Sequence, residues 1–130
     1  MRLLLDTHVF LWYIAADPRL PAIVEAALRE ASNELFVSVA SIWEATIKHG
    51  LGKLTLPNAP AVYLSQQRQA HWMASLTIDE TTIEELSKLP PLHRDPFDRI
   101  LVAQAIQHGL TLVSVDQAVQ AYPVATFPLR

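Results

Sequence analysis

The run His93-Arg94-Asp95-Pro96-Phe97-Asp98-Arg99 sets two carboxylates directly before the most apolar helical pattern in the chain, Ile100, Leu101, Val102, Ala103, Ala105 and Ile106. Asp95 suits an N-cap, Pro96 the first helical position, and Asp98 the first turn, where free N–H groups favour an anion. Capping alone would explain both acids, so chemistry needs partners elsewhere. Asp6 closes the apolar run Leu3-Leu4-Leu5, and Asp116 follows Thr111-Leu112-Val113-Ser114-Val115 in the same way. Both stand where a strand hands over to a helix, the edge at which open α/β sheets bind ligands, and for Asp6 an N-cap is the structural alternative. Glu44 lies one turn inside the next helix among apolar neighbours, where a carboxylate needs a partner. Ser41, three residues earlier, has capping-box spacing and offers Glu44 a purely structural role.

If the strands are parallel neighbours, Asp6, Glu44, Asp98 and Asp116 meet at one edge of the sheet. Two carboxylates about 5 Å apart repel by about 3 kcal/mol at an effective dielectric of 20, so a bare cluster is costly. A divalent cation relieves that cost. Oxygen ligands select Mg²⁺ or Mn²⁺ over zinc, and such an ion can activate water against a phosphodiester and stabilise the leaving oxygen.

The elements that must position these acids alternate in type. Residues 2–5, 35–39, 73–78 and 111–115 read as strands, and 124–127 as a last one. Helices are predicted over residues 8–16, 22–31, from 42 to a C′ glycine at Gly50, over 60–71, from 79 onward, from 96 to about 108, and over 117–122. This alternation argues one domain over residues 1–130, a three-layer α/β/α fold with a mostly parallel central sheet. The chain shows no internal repeat. Trp12, Trp43 and Trp72 are expected in the core.

Composition narrows the field. The chain has 130 residues, 51% hydrophobic, enough for a real core. It contains no cysteine, so any metal is held by oxygen or imidazole, and a reducing cytoplasm is compatible. The longest apolar run, residues 9–16, is far short of the roughly 20 residues of a membrane span, and residues 2–5 are too short for a secretory core, so a cytoplasmic protein is expected. A formal charge of −3 argues against a broadly basic nucleic-acid-coating surface. Ions held by clustered carboxylates would still present positive charge to phosphate. Lys48, His49, Lys53, Arg68 and His71 form either a modest basic margin for a phosphate chain or scattered surface charge. Glu84, Glu85 and Lys88 read as ordinary exposed positions.

Four stretches in the same order carry a family likeness: Leu3-Leu4-Leu5-Asp6-Thr7-His8; Ser38-Val39-Ala40-Ser41-Ile42-Trp43-Glu44 with Gly50-Leu51-Gly52-Lys53-Leu54; the HRDPFDR run with Leu101-Val102-Ala103-Gln104-Ala105; and Ser114-Val115-Asp116. Together they resemble PIN-domain proteins of the VapC toxin type, in the subgroup with the HRDPFDR run. The resemblance implies a PIN-like fold and a Mg²⁺- or Mn²⁺-dependent endoribonuclease, the toxin of a type II toxin-antitoxin pair. It implies a homodimer, held inactive by a cognate antitoxin protein, with RNA as substrate. Position by position, Asp6, Glu44, Asp98 and Asp116 match the family's catalytic and metal-binding acids. Asp95 would be a cap, an auxiliary ligand or a group behind the ligands, and Ser114 stands where many relatives have threonine.

On that reading Asp6 and Asp98 hold the main ion, Asp116 binds it directly or through water, and Glu44 positions or deprotonates the attacking water or ligates a second ion. Arg99 either touches the scissile phosphate or pairs with a neighbouring acid. His8 and His93 more often satisfy local hydrogen bonds than act in catalysis. The alternatives are a PIN-like module that binds antitoxin or RNA without cleaving, and a phosphatase using Asp6 as covalent nucleophile. The latter would want a second acid where His8 stands.

Overall fold

Three consecutive leucines, Leu3, Leu4 and Leu5, are wholly excluded from solvent, and that is possible only for a strand covered on both faces. A computed structural model describes residues 1–92 and 95–129 and places these leucines in β1 (Arg2–Leu5). β1 is flanked by β2 (Glu34–Ser38) on one side and β4 (Thr111–Val113) on the other, with β3 (Met73–Leu76) outside β2. Every pairing in this four-stranded sheet is parallel. The register sets Leu5 beside both Val37 and Val113, so the residues following all three strands emerge together at the carboxyl edge.

Side chains alternate across the sheet with period two. Leu3, Leu5, Leu35, Val37 and Val113 pack on one face with Val9, Phe10, Val24, Ala45 and Leu64, contributed by α1 (Thr7–Ile14), α2 (Ala22–Arg29), α3 (Val39–Gly50) and α4 (Pro60–Ala70). Leu4 and Leu112 point the other way, onto Leu101, Val102 and Ala105 of α6 (Pro96–His108). Leu86 of α5 (Glu80–Ser87) joins that second cluster. The three-layer α/β/α arrangement is thus the observed one. Among the described residues no helix is long and apolar enough to cross a membrane.

α6 has the ends its sequence announces: Asp95 accepts from the N–H groups of Phe97 and Asp98, Pro96 opens the first turn, and Gly109 closes it at φ 64°. α5 braces it. Asp79 caps α5 within a capping box with Thr82 and takes the Gln107 amide at 2.8 Å, joining the two helices. Glu84 is exposed as expected, whereas Glu85, partly covered, pairs with exposed Lys88 at 3.5 Å.

Several expectations are revised. The N-cap of α3 is Ser38, so Ser41 makes no capping box and Glu44 lies in the second turn rather than the first. Gly50 is the last residue of α3, and Gly52 takes the left-handed turn at φ 72°. β3 stops at Leu76 and β4 at Val113, while residues 124–127 contribute one parallel bridge, Thr126 to Leu112, instead of a strand. Trp43 and Trp72 are 57% and 93% exposed, not core. His93 and Arg94 lie outside the described residues.

Trp72 also holds φ 58°, a left-handed conformation unfavourable to a bulky side chain. Size and stability therefore diverge between two positions. Leu4→Ala should cost about 2–5 kcal/mol, whereas Trp72→Gly, which removes a far larger side chain, should be neutral or stabilise by up to about 1 kcal/mol. Urea denaturation of both variants beside wild type checks this, and a large loss at Trp72 would contradict the exposure described.

Candidate active site

The strand order places the site. The chain leaves β1 towards β2 and β3 on one side and returns to β4 on the other, so the connections diverge above the carboxyl ends of β1 and β4. A crevice opens at such a switch point. Asp6, the first residue past β1, donates its N–H to the Val113 carbonyl at 2.9 Å, and its carboxylate accepts from Val9 N–H at 2.8 Å, capping α1. Asp116 lies three residues past β4 and caps the 3₁₀ helix Gln117–Ala121 through the Ala118 N–H at 2.9 Å.

Ser114 sits between these two acids. Buried at the end of β4, its hydroxyl hydrogen-bonds the Asp6 carboxylate and accepts from the Asp116 N–H at 3.0 Å. Sequence reasoning noted Ser114 only as a variant of a familiar position, although a small hydroxyl beside a strand-end acid is a signal for this kind of support.

Glu44 belongs to the buried stripe of α3 that also carries Ser41 and Ala45. The Thr7 hydroxyl donates to Ser41 Oγ at 3.0 Å, joining the start of α1 to the turn before Glu44. Glu44 itself is 6% exposed and has found its partner within its own helix, Lys48 Nζ at 2.9 Å from Oε2. On the far side, Trp43 meets Phe97 edge to face with ring centroids 5.0 Å apart. Each aromatic immediately precedes an acid, Glu44 or Asp98, so the ring pair fixes the spacing of the two acid-bearing helices.

The result is a cavity of about 110 Å³ lined by Asp6, Thr7, His8, Glu44, Lys48, Asp95, Asp98 and Asp116. All four sequence-predicted acids are brought together, and Asp95 joins them. Asp6 and Glu44 form its buried floor, Asp98 is half-buried, and Asp116 is exposed at the rim. Burial pushes the Asp6 carboxyl above its ordinary range, and neighbouring Glu44 adds to this; the Ser114 hydroxyl, the Val9 N–H and His8 pull it back only in part. A larger groove of about 600 Å³, lined by apolar Leu11, Trp12, Leu54 and Leu56, adjoins the cavity at His8 and Lys48.

Among the described residues no three His, Asp or Glu side chains stand in a ready-made coordinating arrangement. The reason is visible: Asp6 is turned to Val9 and Ser114, Glu44 to Lys48, Asp95 to Phe97 and Asp116 to Ala118. The donor chemistry nevertheless fits a hard cation, since the lining offers carboxylate oxygens and no thiolate. The volume suits an ion that keeps some of its water, one water occupying roughly 30 Å³. Asp6, buried with Glu44 close by, is the kind of carboxylate whose burial such an ion would relieve.

Other candidates fall away. Arg99 does not line the cavity; its guanidinium donates to the Pro90 carbonyl at 2.9 Å and the Tyr122 hydroxyl at 3.0 Å. Its role is structural, on uncharged partners instead of an acid. His8 is exposed at the rim with its ring against Trp12. Arg68 donates to the Met73 carbonyl and His71 bonds the Gln67 carbonyl, so these two brace α4 and β3, and neither lines the acid cavity. Lys48 is the member of that set that reaches the acids.

An open parallel sheet between helical layers, with an acid-lined cavity over its carboxyl edge at the switch point, defines the class. The PIN domain family model matches residues 3–124, and the chain belongs to that family. It is 29% identical over 121 residues to Ribonuclease VapC22 of Mycobacterium tuberculosis, covering 92% of this chain and 90% of that protein. The fold is shared with VapBC2 from Rickettsia felis, solved bound to a promoter DNA fragment (TM-score 0.70, 14% identity, 98% of each chain). It is shared also with FitAcB from Neisseria gonorrhoeae (TM-score 0.68, 21% identity, 98% and 97% covered) and with a toxin-antitoxin complex from Klebsiella pneumoniae (0.65, 15%, 98% of each).

The raised carboxyl of Asp6 has a definite sign. A folded-state pKa above the unfolded value means that the folded protein binds the extra proton, so its stability falls as pH rises through that window and stays lower above it. Asp6→Asn keeps a good cap and removes the charge. It should therefore stabilise the protein in EDTA at pH 7, with the gain shrinking as pH approaches 3.8, the ordinary carboxyl value. Urea midpoints across pH decide it, and a destabilised variant at pH 7 would refute the account.

Proposed function

We propose that this chain is a metal-dependent endoribonuclease, the toxin of a type II toxin-antitoxin pair, acting on RNA with Mg²⁺ or Mn²⁺ in the cavity. The observation that carries the reading is that Asp6, Glu44, Asp98 and Asp116, remote in sequence, line one cavity at the carboxyl edge of a PIN-family sheet. The ribonuclease name of the curated relative supports the activity, and the toxin-antitoxin complexes among the structural neighbours support the biological setting. A cognate antitoxin, a homodimer and a cytoplasmic location belong to the same proposal.

Asp6 and Asp98 are the residues that would hold the ion, with Asp116 at the rim contributing directly or through water. When bound, a hard divalent ion supplies Lewis acidity at the phosphate and eases the deprotonation of water. Ser114 ties the Asp6 carboxylate to the Asp116 backbone just past β1 and β4, which would help both acids reach one ion. Glu44, held among apolar neighbours, orients the attacking water and accepts its proton, or contributes to a second ion. Asp95 acts from behind, fixing the first turn of α6 and with it the direction of Asp98.

Purified protein with RNA and Mg²⁺ should cleave, EDTA should abolish cleavage, and Asp6→Asn or Asp98→Asn should each lower the rate by more than about 100-fold. Cleavage persisting in both variants would overturn the assignment. A wild-type protein that binds RNA or its antitoxin without cutting would establish the non-cleaving module instead.

A further inference from the structure

His8 occupies a place that the acid chemistry leaves unexplained. It lines both the acid cavity and the adjoining groove of about 600 Å³, and it is exposed at the rim between them. Lys48 shares that double position but is engaged by Glu44 at 2.9 Å. A chain entering the cavity from the groove passes His8. In single-stranded RNA the group that flanks a phosphodiester is a nucleoside, and every base offers a flat π-face.

The imidazole is supported in layers. Its ring lies against Trp12, one helical turn further along α1, with centroids 5.7 Å apart and planes tilted by 45°. The Arg19 guanidinium lies over the Trp12 ring at 4.9 Å. Arg19 is in turn gripped by the Asp17 carboxylate, 2.8 Å from Nη2 and 3.1 Å from Nε, and the Asp17 N–H donates to the Trp12 carbonyl at 2.9 Å. The loop after α1 is thus closed back onto the helix that carries His8. Because Asp17 matches the charge of Arg19 and Glu44 that of Lys48, what this side of the groove offers is rings and apolar surface, continued by Leu11 and Tyr63. A ring already buttressed from behind loses little freedom when a base lands on it.

We propose that His8 is a substrate-contacting residue whose ring stacks on the base of a nucleotide next to the scissile phosphate. This rests on the nuclease reading and deepens it. The substrate is single-stranded at that nucleotide, since a base inside a duplex keeps its faces on its neighbours. Stacking at the rim sets which phosphate of the strand comes to lie over the acids. A histidine that merely covered Trp12 would do neither.

The test pairs protein variants with RNA variants. His8→Ala removes the ring, His8→Phe keeps a stacking surface, and His8→Gln keeps polarity without a ring. Each is titrated in Ca²⁺ with a short single-stranded RNA and with a series in which one abasic site is moved along that strand, and KM and kcat are measured in Mg²⁺. His8→Ala should raise Kd and KM for the intact RNA about tenfold, within the range of one lost base–aromatic stack, with kcat changed far less. At one position of the series, beside the cleaved bond, wild type should lose as much, and there His8→Ala should add nothing further. The slope of log K against log salt should stay as in wild type, because no phosphate contact is removed. His8→Phe should bind within about twofold of wild type, and His8→Gln should behave as His8→Ala does. Urea midpoints and Mn²⁺ affinity should match wild type, and His8→Gln takes the place of His8→Ala if the latter folds poorly. An equal loss for His8→Ala at every abasic position, a His8→Gln variant that binds as wild type, or a flattened salt slope would each overturn the proposal. If wild type cleaves no RNA, the nuclease reading fails on its own; the abasic series, read by Kd alone, still decides whether His8 meets a base, and a wild type that binds no RNA overturns both.

Discussion

Like charges do not gather unaided, and the structure depends on what makes them gather here. In a parallel sheet every connecting helix returns the chain to the same end, so helix starts accumulate along the carboxyl edge, each with backbone N–H groups lacking intrahelical partners. Three of the five acids in the cavity are anchored by such groups: Asp6 at α1, Asp95 at α6 and Asp116 at the 3₁₀ helix. Capping and convergence are therefore one arrangement. Each of the three gives part of its acceptor capacity to a helix end, which keeps it in place on the lining of the common cavity.

Much of this was legible because it is local. Asp95 with Pro96 and Gly109 delimit α6 by short-range rules, and Asp6 follows an apolar run too continuous to be anything but a doubly covered strand. The convergence of Asp6 with Asp116 follows from the α/β alternation once the strands are taken as parallel. Glu44 was found as an acid in apolar surroundings but placed a turn too early. Two serines compete for the start of α3, and the choice between them is made by tertiary context: Ser41 is claimed by the Thr7 hydroxyl, leaving Ser38 to cap.

What escaped the sequence was set by distant partners. Arg99 is next to Asp98 in the chain, yet its guanidinium is taken by Pro90 and Tyr122 and it does not line the cavity. Trp43 and Phe97 are hydrophobic by type and suggest core, whereas they form an edge-to-face pair between α3 and α6 with Trp43 largely in solvent. Lys48 reads as surface charge until Glu44 is seen to need a countercharge. Residues 124–127 carry a strand-like composition, and their one bridge to Leu112 shows how little of that composition the sheet uses.

The central place of β1 has a temporal side. Its neighbour β4 is drawn from the opposite end of the described chain, and the pairing of Leu5 with Val113 is among the most sequence-remote in the sheet. Synthesis delivers Asp6 early and Asp116 late, and non-local parallel pairing is slow to form. Asp6 and Asp116 therefore come together only when β4 has joined β1. Any activity that needs all of these acids is thus tied to closure of the sheet, and a chain whose last strand is unpaired would lack it.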